Sequence, residues 1–93
     1  MLDTKAYHKS KFISHFAKMA KQYRDQDYLI KVGKRLVELR AEYKLSQEAL
    51  ERLSGIDTRQ IGRIERAEGN SNVSLIKKIA DSLNINVSQI LDV

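Results

Sequence analysis

Four side chains suited to reading a nucleic acid, Thr58, Arg59, Gln60 and Arg63, lie together in the stretch Leu45–Arg66, LSQEALERLSGIDTRQIGRIER. Arginine's planar fork of donors matches the major-groove edge of guanine, and glutamine's amide matches that of adenine. To act together these groups must share the outer face of one narrow, firmly held element. The surrounding residues predict such an element. Gln47–Ser54 reads as a first helix capped by Ser46, and Gly55 closes it because glycine adopts a positive φ without penalty. Ile56 is predicted to pack into the angle of the turn. Asp57 starts a second helix, with Asp57-Thr58-Arg59-Gln60 in the pattern of a capping box. Leu50, Leu53, Ile56, Ile61 and Ile64 are the expected inward positions, which leaves Thr58, Arg59, Gln60 and Arg63 outward on the first two turns of the second helix. A plain αα-hairpin also carries a solvated polar face. The ordered spacing of Gln47, Leu50, Gly55, Ile61, Ile64 and Glu65 is the more specific signal.

On those residues the stretch resembles the helix-turn-helix of the phage-repressor/Cro family of bacterial and phage regulators, and the resemblance runs without gaps from about Lys34 to Leu91. It implies an all-α fold, a compact five-helix DNA-binding domain in which the second helix of the motif enters the major groove. It also implies roles for individual residues. Gln47 would open the first helix and bond a DNA phosphate. Thr58, Arg59, Gln60 and Arg63 would face bases or nearby phosphates. Arg40 and Glu65 would form a structural ion pair tying the preceding helix to the recognition helix, a task suited to arginine's bidentate geometry.

Three positions depart from the family pattern. Glu51 stands where a small residue is usual, and is expected to turn outward or to pair with a cation such as Arg63. Lys44 replaces a frequent glycine at the end of the preceding helix. Ala67 replaces another after the recognition helix, which predicts that this helix runs on towards Glu68 and stops at Gly69.

Composition bounds the rest. Ninety-three residues make one domain, and the absence of cysteine removes disulfides and thiol chemistry. No nucleophile–base pair, metal set or glycine-rich phosphate loop stands out; Glu38, Glu42, Glu48 and Glu51 read as helix-surface charges, and no enzyme activity or cofactor is expected. His8 and His15 lack the partners of a closed zinc site and read as surface residues. A net charge of +5 favours a polyanionic partner. The N-terminus lacks the apolar run of a signal peptide, and no stretch reaches the ~20 apolar residues of a membrane span. A cytoplasmic protein is expected.

In chain order, residues 1–27 read as an extension carrying an amphipathic helix at about 9–24, with a stripe of Phe12, Ile13, Phe16, Met19, Ala20 and Tyr23. That helix is open to three readings: packing in cis, pairing with its twin in a dimer, or lying on a membrane, the last disfavoured. Residues 28–93 form the DNA-binding domain, with the motif at 46–66. Its first helix is predicted from Tyr28 to about Glu42, with Leu29, Val32, Leu36, Leu39 and Tyr43 inward, and Gly33 allowing a neighbour to approach closely. Gly69-Asn70-Ser71-Asn72 is a polar loop whose Asn70 and Asn72, with the free amides of the next helix, are candidate phosphate contacts; Asn72 also suits a simple cap. Val73 to Leu83 follows as a helix with Val73, Ile76, Ile79, Ala80 and Leu83 inward. Asn84 is expected in the left-handed conformation, and Asn86-Val87-Ser88-Gln89 repeats the capping box before a short last helix.

Three functions compete for this pattern. A sequence-specific DNA-binding regulator, a repressor acting as a homodimer on a palindromic operator, fits best. The second is a protein-interaction module, an antitoxin-like subunit or adaptor holding a partner through Phe12, Phe16 and Met19. An enzyme finds no support in the residues.

Overall fold

The computed structural model describes residues 24–69 and 72–93. The expected helix at about 9–24, with Phe12, Phe16 and Met19, lies outside the described residues, as does Asn70. Within them every regular element is helical: α1 (Gln26–Glu42), α2 (Gln47–Ser54), α3 (Thr58–Glu65), α4 (Val73–Ser82) and α5 (Ser88–Leu91).

Helix α1 begins two residues earlier than Tyr28, because Asp25 supplies the cap: its Oδ1 accepts from the Tyr28 amide at 3.0 Å. Val32, Leu36 and Leu39 are buried, but Tyr43 is 45 % exposed, since it is the cap residue beyond the last helical turn. Gly33 meets the last turn of α3 so closely that a Cβ there would stand 2.5 Å from the Glu65 carbonyl oxygen and 2.7 Å from that of Ile64.

Helices α1, α3 and α4 end alike. Lys44, Ala67 and Asn84 have φ of 56°, 56° and 57°. Each is followed by an amide that reaches back to an orphan carbonyl: Leu45 to Arg40, Glu68 to Arg63 and Ile85 to Ala80. This is the Schellman closure, which needs one left-handed residue. The left-handed conformation expected at Asn84 is present. The expected continuation of α3 to Gly69 is not: α3 ends at Glu65, and Ala67 makes the left-handed turn. Two contacts compensate the alanine's strain. Its methyl is buried, and its carbonyl accepts from the Arg24 guanidinium and from Gln26 Nε2.

The helices close on one core of Val32, Leu36, Leu39, Leu50, Ile56, Ile61, Ile64, Ile76, Ile79, Ala80, Leu83 and Ile90. α1 packs on α3 and α5, α2 on α3 and α4, and α4 on α5. Burying each large side chain contributes about 1.5–3 kcal/mol, and these contacts, more than the short helices' own propensity, hold α2 and α3 in place. Besides Tyr43, two expected core positions face outward. Leu53 is 55 % exposed, because the buried face of α2 runs through Leu50 and Ser54 and leaves Leu53 to one side. Val73 is 68 % exposed, being the first residue of α4, ahead of the turn that docks. The second capping box is also absent: Val87 flanks α5 without a side-chain cap, and the Asn86 carbonyl accepts from the Gln89 amide. The last helix is tied to α1 instead, by Tyr28 Oη to the Leu91 carbonyl at 2.5 Å and Arg35 Nε to the Gln89 carbonyl at 2.7 Å.

Candidate nucleic-acid interface

The turn between α2 and α3 is set by short-range chemistry. Ser46 Oγ accepts from the Ala49 amide, and Gly55 closes α2 at φ 76°. Ser54 is buried with its hydroxyl donating to the Leu50 carbonyl and accepting from the Ile56 amide, which places Ile56 in the core between the helices.

The start of α3 departs from the expected capping box. Asp57 Oδ1 accepts from the Arg59 amide at 2.7 Å, two residues on and not three, and Gln60 is not what closes the turn. Glu51 replaces it. From α2, its Oε1 accepts both the Thr58 amide at 2.7 Å and the Thr58 hydroxyl at 2.6 Å. Glu51 is therefore turned outward, as expected, but its partner is Thr58 and not Arg63. The two bonds from Thr58 hold the Glu51 carboxyl below the usual glutamate range.

Beyond this start, Arg59 and Arg63 are exposed and Thr58 and Gln60 half-buried. Asp57, Arg59, Gln60 and Arg63 line one open depression. The Arg59 side chain is 90 % exposed and its Nε lies 3.5 Å from Asp57 Oδ1, a surface pair that constrains it little. Arg59 can therefore exchange this contact for a ligand at small cost.

Behind the face lies a different kind of contact. Arg40 grips Glu65 with two bonds, Nε to Oε2 at 2.5 Å and Nη2 to Oε1 at 2.9 Å, and gives Nη1 to the Leu45 carbonyl at 3.0 Å. The Glu65 side chain is 6 % exposed. The bond to Glu65 raises the Arg40 pKa against the opposing effect of burial. Gln47 joins them, with Nε2 donating to Glu65 Oε1 at 2.8 Å. Gln47, for which the resemblance implies a phosphate contact, fastens the start of α2 to the end of α3, and its second amide proton remains for another acceptor. Just past α3, Arg66 and Glu68 pair at 2.7 Å, which raises the one pKa and lowers the other. Asn72 caps α4, its Oδ1 accepting from the Ser74 amide at 2.7 Å.

Two structural contacts have little trace in the sequence. Glu51 was visible only as an oddity, although its seven-residue offset from Thr58 spans the turn. The clamp of Arg24 on Ala67 joins residues 43 apart, and no local pattern announces it. Among the described residues no group of three or more acids and histidines is placed to hold a metal ion, and no helix is long and apolar enough to cross a membrane.

Comparison with known proteins gives this architecture its setting. A helix-turn-helix family model, HTH_3, matches residues 36–90. The restriction-modification controller protein C.AhdI from Aeromonas hydrophila has a similar structure, with TM-score 0.64 and 42 % identity over 67 % of this chain and 94 % of its own. An HTH_3 family transcriptional regulator from Vibrio cholerae gives TM-score 0.69 at 28 % identity, over 74 % of this chain and 39 % of the other. The hypothetical transcription factor NHTF from Neisseria gives 0.65 at 28 %, over 73 % and 79 %. No curated protein matches the chain. The chain belongs to the helix-turn-helix family HTH_3, whose members are DNA-binding transcription regulators.

Proposed function

We propose that this chain is a sequence-specific transcriptional repressor that binds a palindromic operator as a homodimer in the cytoplasm. The observation that carries this reading is the open face of α3: Arg63 and Arg59, the latter held only by its surface pair with Asp57, are exposed beside Gln60 on the first two turns of a helix that is clamped from behind by Arg40, Glu65 and Gln47. Mobile donors on a fixed element are what base recognition needs. In this reading Thr58, Arg59, Gln60 and Arg63 face base edges. Gln47, Asn72 and Asn70 serve phosphates, Gln47 through its remaining amide proton. One helix of eight residues reads only a few base pairs. A two-fold dimer doubles the contacts and sets half-sites about 34–36 Å apart. Occupancy of a promoter then excludes polymerase without any chemistry by the protein.

The test is fluorescence titration of variants against an operator, selected from random duplexes, and a scrambled duplex at several salt concentrations. Arg59→Ala or Gln60→Ala costs ~1–3 kcal/mol on the operator and narrows its advantage over scrambled DNA. Gln47→Ala weakens both duplexes and keeps most of the gap. Equal weakening of both duplexes by Arg59→Ala and Gln60→Ala would remove α3 from the role of reader.

A further inference from the structure

The start of α3 is unusual in what it offers a ligand. Its first-turn amides are already spoken for: Thr58 donates to Glu51, Arg59 to Asp57 Oδ1, and Gln60 and Ile61 to the Asp57 carbonyl at 2.9 and 3.0 Å. The Thr58 hydroxyl has a single proton, and Glu51 Oε1 takes it. Thr58 is thereby left with lone pairs and a methyl group, and the adjoining Glu51 carboxylate is exposed and accepts only. The Glu51–Thr58 pair itself offers no donor, although the exposed Arg52 and Arg59 flank it in the chain.

Every atom that could be matched there has a known polarity. Phosphate oxygens are acceptors, so this pair has nothing to donate to the backbone. In the major groove guanine presents two acceptors, O6 and N7. Cytosine and adenine present an amino donor, and thymine a methyl.

We propose that Glu51 is a specificity-determining residue: by holding the Thr58 hydroxyl proton and presenting its own carboxylate, it disfavours guanine as the base directly facing Thr58 and favours there a base that offers an amino or methyl group, so that a G·C pair is accepted only with its cytosine on that side. The inference rests on α3 being the recognition helix. Glu51 reads partly through Thr58 and partly by itself, since a carboxylate accepts from cytosine N4. The bland account is that Glu51 is only a helix cap, whose charge weakens every DNA complex alike.

The experiment compares the base profiles of the full-length wild type, Glu51→Gln and Glu51→Ala, each selected from random duplexes at one salt concentration. The base pair concerned is the one whose preference changes in Thr58→Ala. Glu51→Gln keeps a carbonyl acceptor for Thr58 and adds donors, so the fold is retained, which a melting curve checks. At that base pair the penalty for guanine is expected to fall by about tenfold in both Glu51 variants, with other positions unchanged. An unchanged profile, or a rise in affinity that is equal for all sequences, overturns the proposal and leaves Glu51 as a cap. A wild type that selects no sequence at all takes down the recognition-helix reading, and this inference with it.

Discussion

Glu65 is held from two sides, by the Arg40 fork and by the Gln47 amide, and its side chain is nearly closed to water. A carboxylate in that position is tolerable only because its lone pairs are matched. Its removal leaves the Arg40 guanidinium, 17 % exposed, facing a void and retaining only the Leu45 carbonyl. Truncating one partner of such a pair costs about 3–5 kcal/mol. Glu65→Ala is therefore expected to lower Tm by more than about 10 °C for a chain of this size. Glu65→Gln should fall between, since an amide still accepts one bond. Thermal melts followed by circular dichroism check this, and an unshifted Glu65→Ala melt would mean that the three residues share no stabilising energy. The pairing of Arg40 with Glu65 was legible through the family resemblance. The third member was not, because the resemblance implies a phosphate contact for Gln47, and nothing in a one-dimensional pattern says that the side chain of a first-turn residue folds back across a neighbouring helix.

At the scale of the element, the helix ends are the informative features. Lys44 sits at φ 56° in the closure of α1, exposed, in a conformation that costs a non-glycine residue roughly 1–2 kcal/mol. Lys44→Gly removes that strain at the expense of a freer unfolded chain and of a favourable charge at a helix C-terminus. A net gain of about 0.5–1 kcal/mol is expected, read as a higher urea midpoint with an unchanged slope. No gain would place the turn's energy elsewhere. Ala67, in the same conformation, is a different case, because its methyl is buried and its carbonyl is bonded by Arg24 and Gln26. That difference explains where sequence reasoning went astray. Caps made by immediate neighbours, such as Ser46, Gly55 and Asn84, could be read directly. The stop at Ala67 depends on residues far off in the chain, so the expected run to Gly69 failed. Leu53 and Val73 were misplaced for a related reason: periodicity defines a stripe, but only the docking partner decides how wide a stripe is covered.

For the whole molecule, charge is unevenly placed. Five lysines and one aspartate precede Arg24, so +4 of the net +5 lies in residues 1–23 and +1 in residues 24–93. The helical unit that carries the proposed reading face is thus close to neutral, and its general attraction for a polyanion is correspondingly weak. Each phosphate neutralised steepens the fall of log affinity with log salt by about 0.9. Replacing Lys9, Lys11, Lys18 and Lys21 by Gln in the full chain is expected to flatten that slope and to reduce affinity for scrambled DNA, while the preference for operator persists. A slope identical to wild type would mean that these charges never come near DNA. The contact at Gly33 bears on what happens once DNA is bound. Backbone there lies against backbone with no side chain between, and only glycine fits. A packed seam of that kind cannot give by a fraction of an ångström without breaking. The angle between α1 and α3 is therefore fixed by the protein, and in the proposed complex α3 would not re-aim on its own. Any mismatch between α3 and the groove falls on the duplex, which must bend or twist to meet it. Operators with easily deformed pyrimidine–purine steps outside the contacted bases would then be bound more tightly than stiff ones of identical contact sequence.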